Sequence, residues 1–592
     1  MRPPETVERE SPPRRVSSPE AALRARLPRR LPWEPWSLLV PLIVAQWIGV
    51  ALFVRTVTHN GWLFYHGGDE TWYYTSSWLL GRGDLPETAI GYGWSFVLAP
   101  LTWITGPNFL GGLPAMVVLQ VALLLPLGTL VMYGTGARLG GRVVGYLSAA
   151  IWALGPFLAI PMFIERYHDR YTAQFAPNVL GLTGLGDWPG TLALLVAAYF
   201  FFRLLDEATL ADAAASGLAA GFAVSIKPSN ALFLAAPFIT LLAARRWRSL
   251  VAFGVALAPF ALTLLVWKAR GLGNVPLFAA PAAQQLAAGA GSFAHDSLVA
   301  ARLPSSLKLD WHHLRQNWDG LQEFFFDARL LQWIPVAGTL AVLRRSRLHA
   351  LFLVVWFVAY VVVKGASPVV SVETGSFWRL LMPAFPALCL MLAALPLLWP
   401  RSGLRLAERF PPLRRRFVPA WPAIGTAAVI LGLAPLVLIS AARIHRPTPA
   451  AKFFIENIYL PLSGQVDLKV HRGARGIERL TWTSPPTHGT NVFFRVFRSP
   501  TDQAAFQGFP PEPGDPTLPH GHYGVRCLPL RLAPNDCRVE MNVIATTREH
   551  RFAEGVGTGD WTYRVGMSAN YANDPTLGDV LILSPPVRVV VR

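Results

Sequence analysis

Apolar runs of about twenty residues constrain this chain more than any other feature. Roughly twenty helical residues at about 1.5 Å each cross the roughly 30 Å of hydrocarbon in a bilayer. The first run occupies 37–56. Others lie at 112–133, 142–163, 188–205, 213–226, 229–244, 248–268, 329–344, 348–364, 377–398 and 419–442. They predict a polytopic α-helical membrane protein with about eleven transmembrane helices. The two runs on either side of Lys227-Pro228 are short. The stretch 93–105 is apolar but too short to span, and reads as a helix lying in the interface. Composition agrees: 52% of residues are hydrophobic and 15% charged, against about 25% charged in soluble domains. Three cysteines exclude a disulfide scaffold, and the apolar content excludes disorder for most of the chain.

The formal charge of +18 does not point to nucleic acid, because the arginines cluster between apolar runs. With the N-terminus in the cytoplasm and the spans alternating, the inner loops hold Arg138 and Arg142, Arg203, Arg245-Arg246 with Arg248, Arg344-Arg345 with Arg347, and six arginines in 401–416. This is the positive-inside pattern. Counting 93–105 as a span would reverse it. The expected protein is therefore a multi-pass protein of the cell (plasma) membrane. Its outward segments are 57–92, 164–187, 269–328 and everything after about 444. Residues 1–36, Pro- and Arg-rich, read as a disordered cytosolic tail ahead of an uncleaved first helix.

The chain changes character near its C-terminus. From 444 to 592 the apolar runs give way to period-two strands at Val466, Ile477, Asn491, Arg538, Trp561 and 580–591, separated by Pro, Gly and Asn-Asp turns. That pattern predicts an extracytoplasmic all-β sandwich domain. Cys527 and Cys537 flank a Pro-Asn-Asp turn. On an oxidising face they read as a hairpin disulfide; the alternative is two free thiols. Cys389 lies inside a span and reads as packing.

The sharpest local signal is Gly67-Gly68-Asp69-Glu70-Thr71-Trp72-Tyr73-Tyr74, in the first outward segment and opening a helix that runs to Leu80. In one reading Asp69 caps that helix while Trp72, Tyr73, Tyr74 and Trp78 form an interfacial aromatic belt. In the other, Asp69 is a general base in a low-dielectric setting and Glu70 holds substrate or a metal. A second polar group, Glu165-Arg-Tyr-His168-Asp169-Arg170 followed by Asp187, faces the same side. It reads either as a sugar- or metal-binding cluster or as a solvated loop with internal ion pairs. Lys227 and Arg379, at outer span ends, could anchor topology by snorkelling or neutralise an anion, and Lys364 is a third cation of the same kind. The long outward loop carries Asp310-Trp-His-His313 and reads as an amphipathic lid. No phosphate-binding loop, nucleophile elbow or zinc spacing is present in the sequence.

The order of basic tail, first span, outward Asp69-Glu70 and Gly81-Arg-Gly-Asp84 resembles the GT-C superfamily of membrane glycosyltransferases. More narrowly it resembles the branch of protein O-mannosyltransferases and lipid A aminoarabinose transferases. Gly91-Tyr-Gly-Trp-Ser-Phe-Val-Leu-Ala-Pro100 resembles that branch's interfacial segment. Gly217-Leu-Ala-Ala-Gly-Phe-Ala-Val-Ser-Ile-Lys-Pro228 resembles its Gly-rich helix ending in Lys. Trp378-Arg-Leu-Leu-Met-Pro-Ala-Phe-Pro386 resembles its Arg-bearing helix start, with Leu380 where an aromatic is usual. The β region, through Trp482, Tyr563 and the closing 584–591 strand, resembles fibronectin type III domains.

The GT-C resemblance implies a GT-C-like catalytic body over 37–443, with 444–592 appended. It implies inverting transfer of a glycosyl group from a polyprenyl-phosphate-linked sugar to a glycan, lipid or protein acceptor on the outer face. Asp69 is then the catalytic carboxylate. Glu70, Asp187, Lys227, Arg379, Glu165, His168 and Asp169 are candidates for binding substrate. A divalent metal is compatible with these acids and is not selected by them. The rival reading is a transporter or flippase of lipid-linked glycan. Its charges would sit near mid-bilayer, whereas here they sit at span ends.

Overall fold

The computed structural model describes residues 35–57, 64, 69–86, 90–106, 109–162, 168, 171–272, 309–324, 332–367, 370–372, 376–400, 408, 411, 420–448, 466–472, 477–484, 492–501, 522–524, 540–569 and 580–592. The expected tail 1–34, Glu165, Asp169 and both cysteines of the expected hairpin, Cys527 and Cys537, lie outside them.

The membrane body opens with α1 (Trp36–Thr56), α2 (Asp69–Leu80), the short strand β1 (Asp84–Pro86) and α3 (Gly93–Thr105). Then α4 (Phe109–Leu119) runs through a π turn into α5 (Leu125–Leu158). After these come α6 (Asp187–Glu207), α7 (Leu210–Ile226), α8 (Ala235–Ala243) and α9 (Trp247–Leu272). The remainder is α10 (Trp311–Phe324), α11 (Ile334–Leu343), α12 (Arg347–Gly365), α13 (Ser376–Leu381), α14 (Phe385–Ala394), α15 (Trp421–Ala428) and α16 (Ala434–Ala441).

Among the described residues seven helices are long and apolar enough to cross a membrane, not the expected eleven or so. The difference has two sources. The runs at 112–133 and 142–163 are two helices that adjoin without a loop within Gly112–Leu158, because Gly140 and Gly141 leave helical geometry between them, Gly141 at φ +83°. The runs at 213–226, 229–244 and 329–344 form helices shorter than a bilayer is thick.

Helix α7 packs on α6 and α9. It can do so closely because a Cβ at Gly217 would lie 2.2 Å from the Phe253 carbonyl oxygen, and one at Gly221 2.6 Å from the Phe260 ring. This small-residue seam brings backbones together where lipid supplies no hydrophobic drive.

Charge separates to the two ends of the bundle. At one end Arg138 pairs with Asp206 (3.2 Å) and Glu207 (2.9 Å), and Arg203 with Asp212 (3.0 Å). There Arg246 donates to the Leu204 carbonyl (2.6 Å) and Arg344 to that of Leu397 (3.1 Å), satisfying the last carbonyls of two helices. The exposed Trp36, Trp247, Trp399 and Trp421 lie at the same set of helix ends, and exposed Trp103, Trp311 and Trp333 at the other set. Exposed tryptophan near helix ends is what a bilayer's interfaces select. The short helix α3 occupies the 93–105 stretch and leaves Trp103 and Ile104 exposed at its end.

The belt reading of the Asp69 helix is corrected in part: Tyr73 and Tyr74 are buried, at 3% and 0% exposure. Of that group the partly exposed Trp78 carries the Arg82 guanidinium 3.0 Å over its ring.

The C-terminal region is antiparallel sheet. The strands β3 (Asp467–Arg472), β4 (Ile477–Thr483) and β8 (Arg551–Gly555) form one sheet in the order β3-β4-β8. The other contains β5 (Val492–Pro500), β6 (His522–Gly524), β7 (Glu540–Thr547), β9 (Gly559–Ala569), β10 (Val580–Leu583) and β11 (Val587–Val591). Leu468, Leu480 and Trp482 from the first meet Phe494, Val496, Tyr563, Val565 and Met567 from the second in one core.

The expected single strand 580–591 is two strands on the same partner, β9, broken at Ser584–Pro586 because proline cannot donate to the ladder. Ser584 bridges the gap: its N–H donates to Val565 O at 2.8 Å and its Oγ accepts from Val565 N at 2.9 Å. The chain leaving α16 forms β2 (Arg443–Thr448), which pairs in parallel with β1, the strand that follows α2.

Candidate active site

Four charged side chains more than a hundred residues apart in places meet at the bundle end opposite the Arg138–Asp206 network. Asp69 is the first residue of α2 and Asp187 the first of α6. Each carboxylate thus sits at the positive end of its own helix dipole. Lys227 immediately follows α7, whose end is enforced by Pro228, so an ammonium stands at a negative dipole end. Arg379 comes from α13.

Arg379 Nε donates to Asp187 Oδ2 at 3.1 Å, and its Nη2 donates to Asp69 Oδ2. Lys227 Nζ donates to the other oxygen of Asp187, Oδ1. The result is a chain of alternating sign, Asp69–Arg379–Asp187–Lys227. Its exposure is graded: the side chain of Asp187 is 1% exposed, Lys227 16%, Arg379 29% and Asp69 36%. Lys364, in the last turn of α12, lies within electrostatic range of Lys227 and Asp187.

The frame around these charges is built by residues that carry no exposed chemistry. Glu70 is fully buried and its Oε2 accepts the Gly184 N–H at 2.8 Å, tying the start of α2 to the loop before Asp187. Tyr73, one turn later on the same face, donates its hydroxyl to the Ile226 carbonyl at 3.0 Å, next to Lys227. A Cβ on Gly186 would stand 2.6 Å from the Tyr73 ring, so only glycine admits that ring beside Asp187. Burial, then the charges of Asp69 and Asp187, push the Tyr73 phenol well above its ordinary pKa, keeping it a hydrogen-bond donor.

Behind the other side of Lys227, Gly91 and Gly93 press against Ser225 and Ile226. The Ile90 carbonyl accepts from Trp267 Nε1 (2.9 Å) and Lys268 Nζ (3.0 Å), fixing that loop to the end of α9.

Of the expected site residues, the structure brings together Asp69, Asp187, Lys227 and Arg379. It places Glu70 beside them but turned into the protein. His168 stands just before the turn at 171–175, where its carbonyl accepts from Thr172 at 3.0 Å. Glu165 and Asp169 lie outside the described residues. Sequence reading did not single out Tyr73 as part of the site, although its spacing of four from Asp69 and three from Glu70 places all three on one helical face.

Among the described residues no group of three His, Cys, Asp or Glu is arranged to hold a metal ion. In this arrangement Asp69 and Asp187 are engaged by cations and Glu70 by a backbone N–H. Asp310 caps α10 through the N–H groups of His312 (2.9 Å) and His313 (3.1 Å). Asn317 joins that helix to the Gly365 and Val370 carbonyls, each at 2.8 Å.

No protein-family model and no curated protein matches the chain. Among solved structures, the apo oligosaccharyltransferase of Archaeoglobus fulgidus is similar at 12% identity and a TM-score of 0.35, covering 70% of this chain and 57% of its own. ArnT from Cupriavidus metallidurans, bound to undecaprenyl phosphate, is similar at 15% identity and a TM-score of 0.37, covering 72% of this chain and 82% of its own. This chain thus spans less than two thirds of the length of the first and most of the second.

Proposed function

We propose that the chain is a membrane glycosyltransferase that moves a glycosyl group from a polyprenyl-phosphate-linked sugar to an acceptor hydroxyl at the extracytoplasmic face. Residues 37–443 are its catalytic body and 444–592 an appended β domain. One observation carries this reading: a partly exposed carboxylate, Asp69, shares Arg379 with the buried Asp187–Lys227 pair.

Such a site holds both halves of the chemistry. The acceptor oxygen attacks the anomeric carbon as the bond from that carbon to the phosphate oxygen breaks. Its bonding pair leaves with the lipid phosphate, and the acceptor's proton passes to Asp69. Attack opposite the leaving group inverts the anomeric centre. Arg379 and Lys227 meet the charge that grows on the departing phosphate, and fixed cations at developing charge are a large catalytic contribution. Asp187 holds both cations in place. Glu70 and Tyr73 hold the backbone that carries them.

The test uses purified protein, radiolabelled polyprenyl-phosphate sugars and cell-envelope extract. Wild type should transfer label, and Asp69→Asn should lose about 10²–10⁴-fold in rate, the usual contribution of a general base. Equal transfer by both proteins removes Asp69 from the chemistry. Cysteine-accessibility labelling at position 69 from the cytosolic side alone would place the site on the wrong face.

A further inference from the structure

We propose, resting on the glycosyl-transfer reading above, that Arg379 is an exchangeable partner. In this structure its guanidinium pairs with Asp69 as well as Asp187. The phosphodiester of the incoming donor displaces the Asp69 carboxylate, so the base is set free only when a donor is seated.

The two partners of Arg379 are not equivalent. Asp187 is 1% exposed and takes a second hydrogen bond from Lys227, so it is locked in place. Asp69 is 36% exposed and sits at a helix start. Released, its carboxylate can turn back toward the free N–H groups of the first turn of α2, which favour an anion.

The charge that faces Arg379 is conserved in the exchange. Asp69, Asp187, Arg379 and Lys227 together carry no net charge, and Lys364 lies within range as a further cation. A phosphodiester carries one negative charge, as Asp69 does, and replaces it one for one. Guanidinium suits the exchange because it binds carboxylate and phosphate with the same fork of donors. The oxygen of Asp69 that Arg379 holds is freed to face the acceptor hydroxyl only after the exchange, so donor binding is coupled to exposure of the base. No covalent bond changes in this step.

The experiment is equilibrium binding of a polyprenyl methyl phosphate, a phosphodiester with one negative charge, to the full-length protein in detergent, with the uncharged polyprenol as control. Asp69→Asn removes the competing charge and should bind the phosphate about tenfold more tightly than wild type. Polyprenol binding should not change, and neither should phosphate binding by Asp84→Asn, a charge loss in β1, beyond the far end of α2. Where the amide variant does not fold, Asp69→Ser removes the same charge.

The gain must also vanish in an Arg379→Gln background, a double-mutant cycle that separates exchange at Arg379 from a general field effect. Unchanged or weaker phosphate binding by the Asp69 variants, or a gain that survives Arg379→Gln, overturns the exchange. Tighter binding with no sugar transfer by wild type keeps the exchange and overturns the transferase reading. Transfer that needs Asp69 without any gain in affinity does the reverse.

Discussion

Asp187→Ala should lose about 3 kcal/mol or more of stability and at least 10²–10³-fold of transfer rate. Asp187 is the node of the site, since each of its carboxylate oxygens receives a cation. Removing it leaves two positive side chains next to each other in a largely buried place, and deleting one partner of a buried pair costs far more than the pair itself is worth. Arg379 keeps Asp69, which limits the damage on its side; Lys227 keeps no carboxylate from the cluster. The loss should therefore appear as a lower melting temperature in detergent, and part of it should return when Lys227→Met is added. Transfer should not return, because the second change removes a phosphate-facing charge. A single variant as stable as wild type, or one whose stability falls further with Lys227→Met, contradicts the buried ion-pair chain.

What the sequence showed and what it hid follow from the same energetics. An acid or base at the edge of an apolar run is costly unless it is used, so Asp69, Asp187, Lys227 and Arg379 stood out singly against their surroundings. Their pairing did not, because it joins residues from four separate segments. The roles of Glu70 and Tyr73 were hidden for a sharper reason. Their partners, Gly184 N–H and Ile226 C=O, are backbone groups 114 and 153 residues away, and no local pattern marks a backbone group as an acceptor or donor for a distant side chain.

Apolar runs located helices well where length alone decides, as at α1, α3 and 419–442. They also separated the two helices of Gly112–Leu158, which part where Gly140 and Gly141 leave helical geometry. In the β region alternation found β4 and β9, but not β8, whose inward positions Phe552 and Glu554 are only half-buried.

Gly91→Ala should be the most damaging single-methyl change in the site. A Cβ there would lie 2.2 Å from the Ser225 carbonyl oxygen and 2.3 Å from that of Ile226. Both obstacles are backbone, so neither can rotate away as a side chain could. The loop at 90–93 cannot retreat freely either, since the Ile90 carbonyl is held by Trp267 and Lys268. The strain must separate that loop from the end of α7, moving the Ile226 carbonyl that Tyr73 grips and Lys227 directly after it. Overpacking of this kind costs about 1–3 kcal/mol, and a displacement of about 1 Å at a catalytic group can cost 10²-fold in rate. The control is Gly254→Ala on α9, where an added Cβ meets nothing within 4 Å and should be neutral or slightly stabilising. Melting temperature and transfer rate measured on both variants decide the matter: if Gly91→Ala behaves like Gly254→Ala, the 90–93 loop does not position Lys227.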